Sequence, residues 1–294
     1  MLDYSKIAVI LLNYNSSVDT IALYQQVKSF YKGISIFVID NNSKKEGREK
    51  LISEIDREIL ILNSKNSGYA GGNNIGIKKA IEVGAEYVLI LNPDISIEKE
   101  TLPVLLQTIQ QNMNIAAVGP RICYSDKKEQ IYSDGGVIIK EKGYYTTHIN
   151  YNKFTSEVED SLLINEVDYV NGSAMLINVL ALEKIGLMRE DFFLYFEETE
   201  WCLRAKDNGL RLLTNRGAKA YHISSIKGKM YRFYMVRNRI LLSKLRGDYY
   251  KRTLRIVGKS LFNELKQSFK KKRLSKNTLY GVKGYLFGLM KKID

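Results

Sequence analysis

The segment YVLILNPDIS, Tyr87 to Ser96, decides how the rest of the chain is read. Its first five residues form a short apolar run, the pattern of a strand buried on both faces. The run breaks at Asn92-Pro93-Asp94, and Pro93 is one of only three prolines in 294 residues. A stiffened peptide therefore carries a carboxylate at the mouth of a sheet, and that placement calls for a chemical reason.

Similar runs recur on either side. Ile7–Leu12, Ile34–Ile39, Ile59–Leu62 and Ile115–Val118 read as further short strands. Between them, roughly 18–31, 47–57, 73–83 and 100–112 carry spaced apolar residues with polar partners, as covering helices do. Strand and helix in alternation predict a mainly parallel sheet covered on both faces. Ligands bind such sheets beyond the carboxyl ends of the strands. Polar clusters stand at three of those ends: Asn13-Tyr14-Asn15, Asp40-Asn41-Asn42-Ser43 and Asn92-Pro93-Asp94.

The chain is long enough for one large domain or two, and its composition, 45% hydrophobic and 26% charged, is that of a globular protein. Its two cysteines, Cys123 and Cys202, fit no metal or redox spacing, so a reduced cytosolic setting is expected. No signal peptide is read at the N-terminus, and no run approaches the ~20 apolar residues of a membrane span. The net charge of +13 is unevenly spread. From Lys227 onward, 20 basic residues face three acidic ones, whereas residues 1–226 carry a small acidic excess. The expected organisation is a nucleotide-sugar-binding and catalytic domain over 1–226 and a basic helical region over 227–294.

The glycine-rich segment NSGYAGGNNIG, Asn66 to Gly76, is a candidate phosphate loop. It is not a P-loop, because Ile77 stands where lysine is required, and its glycine spacing is not the dinucleotide fingerprint. A structural turn is the plain reading.

Taken in order, ILLNYN, VIDNNS, NSGYAGGNNIGI, LNPDI, NGSAMLI and FFLYFEETEWCLRAKDNGLR resemble the inverting nucleotide-sugar glycosyltransferases of family two, in their rhamnosyltransferase-like branch. The resemblance runs from about Lys6 to Leu242 and implies the GT-A fold, a Rossmann-like, mixed but mainly parallel sheet flanked by helices. It implies that Asp40 reads the donor's pyrimidine base, with Asn13 and Asn15 lining the pocket. A carboxylate accepts the ring N–H well, although an Asx-turn explains Asp40 too. Asn42, Asn66, Gly68 and Asn73 are carried over as further donor-binding positions.

Asp94 becomes the ligand of a Mg2+ or Mn2+ ion, which offsets charge on a departing nucleoside diphosphate. Relatives use Asp-x-Asp here; this chain has Asn92 first, expected to orient donor hydroxyls or a metal-bound water. His222 would complete the metal site. His148 is read as structural. Glu198 matches the general base that takes the acceptor's proton, with Glu197 holding the acceptor. Both also suit the first turn of a helix on charge alone. Glu200 and Arg204 are spaced to pair, and Trp201 is expected in the core. Asn171-Gly172-Ser173-Ala174 is read as a strand of small residues open to a sugar. Arg237, in a Tyr-x-x-Arg-Asn segment with Tyr234 and Asn238, would stand near the diphosphate or form a salt bridge.

The expected reaction moves a sugar, rhamnose-like by resemblance, from a dTDP- or UDP-sugar to a hydroxyl of a lipid-linked polysaccharide intermediate. A UDP-hexose or galactofuranose transferase stays open, as does a non-catalytic sugar-nucleotide-binding subunit. Leu254, Val257, Leu261, Leu265 and Phe269 form a helical apolar stripe beside the cluster Lys270–Arg273. A basic, amphipathic end of this kind fits an anionic membrane surface, on the cytoplasmic face of the cell membrane. Packing on the catalytic domain is the alternative. Nucleic acid is not expected, since no reading motif accompanies the charge. Self-association as a homo-oligomer stays open.

Overall fold

The computed structural model describes residues 3–159, 163–223, 228–271 and 273–292. The expected boundary at 226/227 and Lys272 of the basic cluster lie outside the described residues.

The strands are β1 (Ile7–Asn13), β2 (Ser35–Asp40), β3 (Leu60–Leu62), β4 (Tyr87–Leu91), β5 (Ile95–Ile97), β6 (Ile115–Tyr124), β7 (Ile131–Ser133), β8 (Gly136–Ile139), β9 (Tyr145–His148), β10 (Ile164–Glu166), β11 (Ala174–Asn178) and β12 (Arg211–His222). The helices are α1 (Ser17–Phe30), α2 (Lys45–Glu54), α3 (Gly68–Glu82), α4 (Thr101–Ile109), α5 (Val179–Ile185), α6 (Glu197–Asp207), α7 (Lys229–Arg246), α8 (Tyr250–Lys270) and α9 (Lys276–Met290).

The main sheet runs β10-β12-β6-β11-β4-β1-β2-β3. Strands β4, β1, β2 and β3 are mutually parallel, as the alternating pattern predicts, and β11 enters antiparallel between β4 and β6. Alternate residues of β1 enter two separate cores. Ala8, Ile10 and Leu12 join one cluster with Trp201; Ile7, Val9 and Leu11 join the other. Burial on both faces is why these strands read as continuous apolar runs. In the parallel register Asn13 stands opposite Asp40 and Leu11 opposite Leu91, so the polar strand ends share one edge.

Two expectations change. Helix α3 begins at Gly68, five residues before the expected start, because the glycines are helical rather than a turn. They let the helix lie close to the sheet: a Cβ at Gly72 would stand 2.3 Å from Leu12, and one at Gly76 2.7 Å from Ile10. Asn171–Ser173 is a turn, not a strand, and β11 starts only at Ala174. The Asn171 side chain accepts from the Ser173 backbone N–H at 2.9 Å, a local bond that competes with strand pairing.

Helix α7 is part of the main fold. Its Leu241 and Leu242 belong to the same core cluster as Trp201. Helix α9 packs against α7 through Gly281, Gly284 and Gly288, where a Cβ at Gly284 would stand 2.4 Å from the Phe233 carbonyl oxygen. Gly284→Ala is expected to cost about 1–3 kcal/mol by overpacking. The corresponding drop in Tm is about 2–8 °C, read by thermal denaturation. An unchanged Tm would show that α9 does not sit against α7.

Candidate active site

At the β1–β2 end, a buried polar network joins the strand termini. Asn13 is sealed from solvent and donates to Asp40 Oδ1 and Ser43 Oγ, both at 2.8 Å, while its Oδ1 accepts from Thr20 and from the Ser16 N–H. Asp40, equally sealed, also accepts from the Ser43 N–H at 3.3 Å and lies 3.4 Å from Arg48 Nε. The Asp40 bond to Ser43 reaches three residues on rather than the two of an Asx-turn, and base recognition by Asp40 would have to use a lone pair that these contacts leave over. Asn15 and Asn42 are exposed in left-handed turns. Asn66 accepts from Asn41 and from the Gly68 N–H. Asn73 is buried and donates to the Tyr69 carbonyl, with its Oδ1 unpartnered.

Beyond β4, the chain turns through Asn92-Pro93-Asp94 into β5, which pairs antiparallel with the end of β12 and sets His222 opposite Ile95. That pairing brings two residues 128 positions apart into contact: His222 Nε2 lies 3.2 Å from Asp94 Oδ2. Asp94 Oδ1 and His222 Nδ1 are buried without a partner. The Tyr132 ring stacks on His222, centroids 4.7 Å apart and planes 3° from parallel, which fixes the imidazole. Asn92 lies 3.5 Å from Ser173 Oγ. Among the described residues no three His, Cys, Asp or Glu side chains gather as a full metal cage. Two donor atoms at this separation do fit adjacent positions of an octahedral ion, whose ligands about 2.1 Å from the metal lie about 3 Å apart. A hard ion of that kind takes its other ligands from phosphate oxygens and water.

Asn92 and Tyr132 share a cleft with the start of α6. Phe193, Tyr195 and Phe196 all adopt left-handed backbone conformations, with φ of 63°, 67° and 76°. Each such non-glycine residue costs about 1–3 kcal/mol and persists only where its surroundings hold it. Here α7 holds it. The buried Asn238 amide donates to the carbonyls of Phe192, Leu194 and Tyr195 at 2.9, 2.8 and 2.6 Å. Arg237 donates to the Asp191 and Phe192 carbonyls and to Asn238 Oδ1. The Arg237 guanidinium thus clamps the loop, and Glu197 is among the charges that act on it.

The loop delivers Glu197 and Glu198 into a cleft of about 370 Å3. Burial pushes the Glu198 carboxyl above its ordinary 4.5. Glu197, only 2% exposed, is pushed well above it by burial and by the Glu198 charge, and its Oε2 has no partner. Adjacent carboxylates cannot both ionise cheaply, so each new charge in this pair is resisted, that on the deeper Glu197 most. Gly172 makes the approach possible: a Cβ there would stand 3.0 Å from the Tyr69 hydroxyl and 3.4 Å from Glu198 Cγ.

Asp94 and the two glutamates act electrostatically on the same two tyrosines. The buried Tyr69, whose hydroxyl donates to the Gly172 carbonyl at 2.5 Å, feels the charges of Glu198, Glu197 and Asp94 together, and so does Tyr195. Glu200 pairs with Arg204 at 2.8 Å, and Trp201 is fully buried with its indole N–H on the Gly186 carbonyl, so both serve the core as expected.

Sequence reasoning missed the rest of the lining. Seven tyrosines, at 69, 132, 145, 151, 169, 195 and 231, line this cleft, with His148 among them. His148 Nδ1 lies 3.0 Å from the Tyr132 carbonyl and its ring meets Tyr132 edge-on, so it braces the cleft wall as well as facing it. The count of 20 tyrosines was the available signal. Burial holds Tyr132 and Tyr195 up to about 12, so they remain neutral hydroxyl donors suited to sugars.

Comparison with known proteins gives the family and the fold. Glycosyl transferase family 2 matches residues 8–184. The low-salt glycan biosynthesis hexosyltransferase Agl10 of Haloferax volcanii is 32% identical over 247 residues, 81% of this chain and 75% of that one. The dTDP-rhamnosyl transferase RfbF of Shigella flexneri is 27% identical over 256 residues, 81% of this chain and 80% of that one. Among solved structures, GalNAc-T7 with UDP, GalNAc and Mn2+ superposes with a TM-score of 0.64 at 17% identity, over 85% of this chain and 49% of that one, so this chain spans about half its length. The mannosyltransferase PcManGT of Pyrobaculum calidifontis with GDP-Man and Mn2+ superposes with a TM-score of 0.58 at 12% identity, over 97% of this chain and 87% of that one. These likenesses carry the fold.

Proposed function

Because the chain belongs to glycosyltransferase family 2 and has the GT-A fold, we propose that it is an inverting glycosyltransferase with Glu198 as its base. The observation that carries this reading is the cleft that Glu197 and Glu198 line together with Asn92 and Tyr132, the ring of which stacks on the His222 paired with Asp94. Glu198 takes the proton of the acceptor hydroxyl as that oxygen attacks the anomeric carbon. Glu197 and the tyrosine hydroxyls orient the acceptor's other groups. The donor's diphosphate lies toward Asp94, where Mg2+ or Mn2+ held with His222 would offset the charge of the leaving nucleoside diphosphate. Attack on the face opposite the leaving group inverts the anomeric centre.

The names of two relatives favour a hexose or rhamnose donor, with dTDP the carrier that one of them names. The acceptor is a hydroxyl on a growing glycan, lipid-linked in this reading. Residues 1–226 supply the reacting groups, and within 227–294 helix α7 braces the cleft while the remainder forms the basic, membrane-facing end. No helix among the described residues is long and apolar enough to cross a membrane. Exposed Phe262, Phe269, Leu286 and Phe287 in this basic region suit contact with an anionic lipid surface instead.

Nucleoside diphosphate release from dTDP-rhamnose, UDP-glucose and UDP-galactose, with and without EDTA, tests the reading. Release from one donor that stops on chelation is expected. No release from any, with tight nucleotide binding retained, would leave a binding subunit instead.

A further inference from the structure

A second cavity, of about 670 Å3, opens between residues 141–146 and helices α7 and α8. Nothing in the proposed transfer uses it. Tyr145, Thr146, Phe196, Tyr231 and Met235 line both this cavity and the catalytic cleft, so the two spaces adjoin along these side chains. Phe196 directly precedes Glu197.

One wall is basic. Lys142, Arg232, Arg239 and Arg252 line it, against Glu141 alone on the lining, and Glu264 behind pairs with Arg232. Four cations therefore meet two carboxylates. Arg239 is anchored on the Lys142 and Gly143 carbonyls, and burial together with the Arg232 charge pulls its guanidinium below its ordinary value. An anion placed between these two guanidinium groups would relieve that repulsion. The other wall is apolar, built from Met235, Val236, Ile256 and Val257. Free phosphate would leave that wall unused, and a plain hydrocarbon would leave the cations unused. The lining suits one molecule that carries both.

We propose that this cavity is an acceptor subsite for a lipid diphosphate: the basic wall holds the diphosphate of a glycolipid and the apolar wall its first hydrocarbon units. The attached sugar then reaches past the shared lining residues toward Glu198. The assignment rests on the glycosyltransferase reading and adds to it the place where the acceptor's anionic group binds.

Farnesyl diphosphate is the probe, titrated calorimetrically into the full chain beside inorganic pyrophosphate and farnesol. The variant Lys142→Glu/Arg252→Glu changes two exposed side chains. Farnesyl diphosphate is expected to bind at least about tenfold more tightly than either fragment, and the variant to lose at least about tenfold of that affinity. An unchanged Tm for the variant and unchanged affinity for UDP with Mn2+ confirm that it is folded. Equal affinity for pyrophosphate and farnesyl diphosphate, no binding of the probe, or full affinity in the variant each overturn the subsite. Donor turnover by the unaltered chain is measured alongside. Its absence would defeat the transferase reading, whereas a failed probe titration with turnover intact defeats only the subsite.

Discussion

Glu198→Gln lowers the transfer rate by about 10²–10⁴-fold and leaves nucleotide affinity in place, because a positioned base contributes a factor of that size. The amide keeps the shape and the hydrogen bonding of the carboxylate but cannot take the acceptor's proton. Single-turnover rates with the preferred donor, set beside nucleotide titrations, separate the two effects. The acid limb of the pH profile carries the same information. Burial raises the Glu198 carboxyl above 4.5, so its basic form is lost as pH falls through that higher value, and activity falls with it. Glu198→Asp should move the limb and keep part of the rate, since it restores a carboxylate one methylene short. A Glu198→Gln variant as fast as the parent would remove this residue from the chemistry.

Asn238→Ala has the next largest effect, though its side chain lies outside the cleft lining. One amide holds the carbonyls of Phe192, Leu194 and Tyr195, and its loss leaves buried acceptors unmet at a total of about 2–4 kcal/mol. The carbonyls of Leu194 and Tyr195 lose their brace, and the left-handed residues 195 and 196 relax, while Arg237 and the Tyr69 N–H still hold the Phe192 and Phe193 carbonyls. Glu198 follows the loop, and a displacement of about 1 Å costs on the order of 10²-fold in rate. The donor end, at Asp94 and Asp40, lies on other elements. The variant should therefore lose kcat while its KM for the donor stays within about twofold, a split that general loss of folding would not give. Equal changes in both parameters would refute a positioning role.

Much of this site is legible in the amino-acid sequence. The apolar runs of β1, β2 and β4 announce strands buried on both faces, and a parallel sheet then dictates that Asn13, Asp40 and Asp94 reach the same edge. Position within a known motif order singles out Glu198 and His222. What stays hidden depends on contacts between distant segments. The glycines of α3 look like turn residues until Leu12 and Ile10 are seen pressing on them. Similarly, the glycines of α9 mean nothing until α7 lies across them. The cleft tyrosines come from separate strands, turns and helices, so no periodicity marks them. Asn238 and Arg237 stand out as part of a segment, but a clamp on backbone carbonyls leaves no trace in the spacing of side chains. For Asp40, the resemblance points to base recognition, whereas its neighbours account for its burial by the turn alone.

Calorimetric titration of UDP or dTDP with and without Mn2+, on the parent chain and on Asp94→Asn, tests the central claim most directly. That claim is one cleft with a metal-binding donor end at Asp94–His222 and a base at Glu198. Mn2+ should tighten nucleotide binding to the parent and to Glu198→Gln alike, and have no effect on Asp94→Asn. Equal tightening in Asp94→Asn, or none in the parent, would contradict it.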